Sequence, residues 1–120
     1  MDEHHKIIAK VAWEGNSLEI IRSFPDGVRE DLGAELRRLQ KGERPINSRP
    51  MKSIGQGVYE IKEQDQHGWY RVIYLSKIRD TIYVLHCFRK QSRKTSQLDF
   101  TLASNRLKIV RARIKEESER

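Results

Sequence analysis

The stretch Val58–Phe88, VYEIKEQDQHGWYRVIYLSKIRDTIYVLHCF, decides the fold. Three runs rich in β-branched and aromatic residues, Val58–Glu63, Trp69–Ser76 and Thr81–Phe88, are parted by turn-forming residues at Asp65–Gly68 and near Lys77–Asp80. Connections this short join antiparallel neighbours, so the stretch predicts a three-strand meander. Side chains alternate between the two faces of a strand. Glu60 and Lys62 then share a face with Val58, and Tyr59 shares the other with Ile61. Trp69, Arg71, Ile73 and Leu75 share a face of the second run. Simple alternation groups Ile82, Val84, His86, Phe88 and Lys90 on the third.

Working outward, Ile7–Trp13 (IIAKVAW) predicts a first strand. Asn16 or Ser17 is placed to cap a short helix carrying Leu18 and Ile21. Pro25-Asp26-Gly27 interrupts it. Val28, Leu32, Leu36 and Leu39 recur at helical spacing up to Gln40, and Gly42 is placed to end that helix. Residues 42–56, with two prolines and two glycines, read as a basic loop bearing Arg44, Arg49 and Lys52. After the meander a helix begins near Ser96, with Phe100, Ala103, Leu107, Val110 and Ile114 as its buried stripe. The order β-α-α-β-β-β-α predicts a single α+β domain over residues 1–120. It consists of a small twisted, mainly antiparallel sheet with helices packed on one face. A chain of 120 residues buries roughly two thirds of its unfolded surface, enough for a core without disulfides or metals.

The net charge of +7 is unevenly placed. Residues 1–50 are neutral, so the whole excess lies in 51–120. Between His86 and Lys115 the only acid is Asp99. A field this concentrated suits a polyanion, most often nucleic acid. The single cysteine, Cys87, excludes an internal disulfide framework and any multi-cysteine metal site; it reads as a small core hydrophobe. No apolar run approaches the roughly 18–20 residues that span a bilayer. The start MDEHHKIIAKVAW lacks the basic-then-apolar pattern of a secretion signal, which predicts a cytoplasmic protein without membrane contact.

Arg71 stands in an otherwise apolar strand. Its head either pairs with Glu60 or reaches the sheet edge, or it is held on an open face for an anion, where its planar fork suits phosphate. His86 ends a strand, as a structural residue or as a proton carrier beside a phosphate. Arg89, Lys90, Arg93 and Lys94 crowd the junction of strand and helix, where they oppose the helix dipole unless an anion sits among them. Glu60 is the lone carboxylate inside a predicted strand of the basic half other than its end. No glycine-rich phosphate loop, GxSxG or HExxH is present, and no metal or cofactor is expected.

The run from MKSIGQGVYEIKE through WYRVIY to TIYVLHCFRKQSRKT, followed by an arginine-containing helix, resembles the RelE/HigB superfamily of bacterial toxins, nearest the phage-derived HigB-like branch. Members show an H-x-F-x-K-K-x-x-K-T-P pattern. His86, Phe88, Lys90, Lys94 and Thr95 match it, Gln91 and Ser96 depart from it, and Lys62 stands where many relatives carry arginine. The resemblance implies ribosome-dependent, metal-free mRNA cleavage by attack of a 2′-hydroxyl on the adjacent phosphate. In that reading Arg71 stabilises the phosphorane, Lys90 and Lys94 bind phosphates, and His86, Glu60 or a lysine moves protons. Lys62, Arg89, Arg93, Arg49 and Lys52 contact RNA. The implied partners are the ribosome, mRNA and a cognate antitoxin, often with a helix-turn-helix domain. Two alternatives remain open at this point: a ParE-like toxin acting by binding gyrase or another protein, and a non-catalytic RNA- or ribosome-binding module.

Overall fold

The computed structural model describes residues 8–91 and 95–119, with the backbone alone for Lys77. Its elements are β1 (Lys10–Trp13), α1 (Ser17–Arg22), α2 (Asp26–Gln40), β2 (Ser48–Pro50), β3 (Val58–Asp65), β4 (Gly68–Ile78), β5 (Thr81–Lys90) and α3 (Gln97–Ser118). They form the expected α+β fold around one sheet of order β1-β5-β4-β3-β2. β3, β4 and β5 make the predicted antiparallel meander. β1 is shorter than the run Ile7–Trp13 and pairs parallel with β5.

The sheet has one strand more than expected, because residues read entirely as loop contain β2. Three residues are too few to show alternation. Pro50 also looked like a strand breaker, yet it sits on an edge strand, where a missing N–H costs little. What places β2 is a buried carboxylate on α2. Glu35 accepts the N–H of Ile46 at 3.0 Å and of Asn47 at 2.9 Å, fixing the chain just before β2. Ser48 Oγ then meets Tyr74 OH at 2.8 Å. α2 itself ends as Gly42 predicts. Gly42 has φ 82°, and the bonds Gly42 N–H to Leu39 O and Glu43 N–H to Arg38 O close the helix in the left-handed turn glycine favours.

The helices do not share one face, which corrects the expected layering. Phe24 beside α1, with Val28, Leu32 and Leu36 of α2, packs on Ile61, Tyr70, Val72 and Tyr74. α3 packs Ala103, Leu107 and Val110 on Val58, Ile73, Leu75, Leu85 and Phe88 of the opposite face. The reason is in β4. WYRVIYLS is apolar on both faces, so both must be covered, and each fully buried leucine or valine contributes roughly 1.5–3 kcal/mol. Gly55 lets the preceding loop pass under α3, since a Cβ there would meet Leu107 Cδ2 at 2.6 Å.

A second correction concerns β5. Tyr74 pairs with Val84 but Ile73 pairs with His86, so Leu85 is an extra residue, a β-bulge. Ile82 and Val84 face α1 and α2. Beyond the bulge the parity reverses, and His86, Phe88 and Lys90 face α3's side. They do not share a face with Ile82 and Val84, as simple alternation predicted.

Candidate functional site

The strand register assembles the site. Cross-strand partners share a face, so three rows run across the sheet on α3's side. Arg49, Glu60, Ile73 and His86 form the first, Lys62, Arg71 and Phe88 the second, and Gln64, Trp69 and Lys90 the third. α3 covers the sheet only as far as Ile73, Leu75 and Phe88, and its N-terminus borders the polar remainder.

Arg71 and Glu60 are both 0 % exposed and paired, Nη1 to Oε2 at 3.0 Å. Arg71 Nη1 also donates to Thr95 Oγ1 at 3.1 Å, and that hydroxyl donates to Glu60 Oε2 at 3.2 Å. Arg49 reaches Glu60 Oε1 from β2 at 3.3 Å. The pairing foreseen as one reading of Arg71 is therefore present, but deep inside, with Thr95 linking it to the start of α3. Arg71 Nε and Nη2 are buried without a hydrogen-bond partner. Such donors ordinarily cost about 1–3 kcal/mol each unless a ligand or water takes them.

His86 is buried and stacks on Phe88 with ring centroids 4.8 Å apart. Its Nε2 lies 2.9 Å from Asp99 Oδ1, and its Nδ1 is buried without a partner. Burial lowers the imidazole pKa, outweighing the Asp99 contacts that raise it. A neutral ring bonded to a carboxylate holds its proton on Nε2, which leaves Nδ1 as a lone pair. Asp99 is the anion that the cations at this helix start require. Burial works against its charge, but bonds from Ser96, His86 and Lys90 hold its carboxyl below the usual range. Ser96 caps α3 as predicted, its Oγ accepting from Asp99 N–H at 3.2 Å while donating to Asp99 Oδ2 at 2.6 Å. Lys90 Nζ stands 3.4 Å from Asp99 Oδ2.

Of the residues singled out in the sequence, Arg49, Glu60, Lys62, Arg71, His86 and Lys90 come together on this face. Arg89 does not. It pairs with Tyr70 on the opposite face, where Nη2 donates to His67 O at 2.8 Å. Lys52 lies apart in the exposed turn after β2. Arg93 and Lys94 fall outside the described residues. Asp99, Thr95 and Trp69 were not among the expected site residues. The signal for Asp99 was its standing alone among nine cations, and the signal for Trp69 was its shared face with Arg71. Cys87 is buried among core residues, and burial pushes its thiol pKa far up, as a core residue requires. Among the described residues no three His, Cys, Asp or Glu side chains are grouped to hold a metal ion, and no helix is long and apolar enough to cross a membrane.

A family model, "Phage derived protein Gp49-like (DUF891)", matches residues 19–108. The chain belongs to this Gp49-like family. The matched span contains α2, the whole meander and the site. The Gp49-like chain also has the fold of solved RelE toxins. It aligns with a doubly substituted mutant of E. coli toxin RelE in the free state, with TM-score 0.61, 17% identity, and coverage of 83% of this chain and 98% of that one. Isolated E. coli RelE toxin aligns with TM-score 0.55 and 19% identity, covering 82% and 98%. No curated protein sequence matches. The phage-derived family and the RelE-like fold expected from the meander and the H-x-F-x-K run are both found.

Proposed function

We propose that this Gp49-like protein is the toxin of a toxin–antitoxin module, acting in the cytoplasm as a ribosome-dependent mRNA endoribonuclease that needs no metal. The observation that carries the reading is one sheet face holding Arg71, whose Nε and Nη2 have no hydrogen-bond partner, beside His86 with an unpartnered Nδ1. Cleavage by an internal 2′-hydroxyl needs a base, cations on the crowded phosphate and an acid for the leaving oxygen. His86 Nδ1 takes the 2′-hydroxyl proton, and Asp99 holds the ring in the required tautomer. O2′ bonds to phosphorus, and the Arg71 Nε and Nη2 donors meet the negative charge that builds there. The 5′ oxygen departs with a proton from Lys90 or a neighbouring cation, leaving a 2′,3′-cyclic phosphate and a free 5′-hydroxyl. Glu60 acts here as the counter-ion that keeps Arg71 in place, and Arg49 and Lys62 hold flanking phosphates. Lys94 and Arg93, by the resemblance of the H-x-F-x-K run, bind further RNA phosphates, and an antitoxin with an acidic segment covers the cationic face.

The test is inducible expression in a bacterial host, followed by mapping of new 5′ ends in abundant mRNAs within minutes. Growth arrest with new ends inside translated frames is expected, and Arg71→Ala, kept soluble and folded, relieves both. Arrest with intact mRNA overturns the nuclease reading and points to a protein target such as gyrase. Arrest undiminished by Arg71→Ala removes Arg71 from the chemistry.

A further inference from the structure

The bulge that turns His86 toward Arg71 leaves a backbone group to be satisfied. Leu85 has no partner in β4, because Tyr74 pairs with Val84 and Ile73 with His86. It is also 0 % exposed, so water does not reach its carbonyl. Val84 O beside it is taken from the β1–α1 side, by Glu14 N–H at 2.9 Å and Ser17 Oγ at 3.3 Å. Leu85 O is taken from α3. Arg106 Nη1 donates to it at 2.9 Å, and Arg106 Nη2 donates to Asn16 Oδ1 at 2.8 Å. The guanidinium passes so close to Gly15 that a Cβ there would stand 2.4 Å from Arg106 Cζ. No residue from Val84 to His86 has a positive φ, so the bulge is not of the kind that a left-handed glycine fixes from within.

We propose that Arg106 is a positioning residue: it clamps the bulge from outside and so keeps His86, Phe88 and Lys90 on the face of Arg71. The use of that face rests on the ribonuclease reading; the clamp rests on its own geometry. Side chains alternate along a strand, so absorbing the extra residue would turn every side chain past Val84 to the other side. His86 would then stand opposite Val72, toward the α1–α2 core, and Cys87 opposite Arg71. A buried carbonyl without a donor is costly, so a bare Leu85 O favours that slip or the opening of β5 around it. Bonded to Arg106, the same carbonyl opposes both. Arg113, two turns further along α3, grips the same loop but not the bulge. Its Nη2 donates to Glu14 Oε1 at 2.8 Å and its Nη1 to Glu14 Oε2 at 3.3 Å. The two arginines therefore separate the clamp from the general seating of α3.

Cys87 is the chain's one cysteine and is wholly buried, so its labelling by DTNB in the native protein reports opening of this strand. Arg106→Met keeps an unbranched side chain and removes the donors. It is expected to speed labelling about tenfold or more, the scale set by an orphaned buried carbonyl. Arg113→Met should stay within about twofold of the parent, as an independent site does. Arg106→Lys, which keeps a donor, falls between parent and Arg106→Met. In NOE spectra Arg106→Met weakens the Ile73–His86 contact across the bulge and keeps Tyr74–Val84 before it. Equal acceleration by Arg106→Met and Arg113→Met overturns the proposal, because α3 as a whole has then loosened. Unchanged labelling overturns it too, as does loss of both NOE contacts together. Should Arg106→Met not fold, Asn16→Ala removes the second anchor of the guanidinium at an exposed position. Faster Cys87 labelling there supports the clamp, and parent-like labelling overturns it. None of these readouts uses RNA. A clamp that passes them in a chain that cuts no mRNA sinks the nuclease reading alone, and mRNA cutting with a failed clamp sinks this proposal alone.

Discussion

Glu60→Gln is expected to destabilise the fold by about 3–5 kcal/mol, because it leaves Arg71 charged, wholly buried and without its counter-ion. A 120-residue domain has roughly 6–18 kcal/mol of stability in all, so the loss is a large share of it. Arg71→Met should cost less. Glu60 keeps Arg49 on Oε1, and the partly exposed Arg49 leads that charge toward solvent. Arg71 has no second carboxylate among its bonds, and Thr95 cannot neutralise it. The double variant Glu60→Gln, Arg71→Met removes both charges and should recover most of the loss, giving a strongly favourable coupling between the two positions. Urea unfolding followed by circular dichroism reads this directly. With a slope of about 2 kcal/mol per molar, Glu60→Gln moves the midpoint down by roughly 1.5–2.5 M. A midpoint within about 0.3 M of the parent would refute the reasoning, since the pair would then be solvated in solution and Arg71 would not be held in a dry pocket.

Two further outcomes follow from the burial of single groups. His86 titrates in NMR below the ordinary histidine value of 6.5, because burial disfavours its charge. The folded pKa is depressed, so its contribution to stability is present above about pH 6.5 and lost as pH falls through the folded value. A His86 midpoint above 6.5 would show instead that the Asp99 contact wins. Cys87 should resist a thiol reagent such as DTNB in the native protein and react at once in denaturant, since its thiol is buried and its pKa strongly raised. Rapid native labelling would mean that β5 opens readily.

The meander was legible because its turns carry Gly, Asp and Gln between apolar runs, and the observed strands extend those runs by only a few residues. α2 and α3 were legible from their leucine and valine spacing. The second helical layer was legible too, but unread: an alternation that is apolar at Tyr70, Val72 and Tyr74 as well as at Ile73 and Leu75 calls for cover on both sides. β2 could not be found in this way, because what makes it a strand is Glu35, eleven residues before Ile46 and on another element. The site was half legible. Arg71, Glu60, Lys62 and Lys90 follow from face-sharing, but the hold of Asp99 on His86 depends on where α3 begins in space, which periodicity does not encode.

The bulge at Leu85 has a consequence for comparing this chain with its relatives. It works as a one-residue frameshift in the order of side chains, with no glycine or proline to announce it. A related strand identical up to Val84 but lacking the extra residue would show the reverse face from there on. Matched letter by letter, His86 would then be equated with a residue pointing into the α1–α2 core, and Cys87 with one on α3's side of the sheet. Correspondence of functional positions past Val84 has to be counted by cross-strand partner, His86 opposite Ile73 and Phe88 opposite Arg71, and not by distance along the chain.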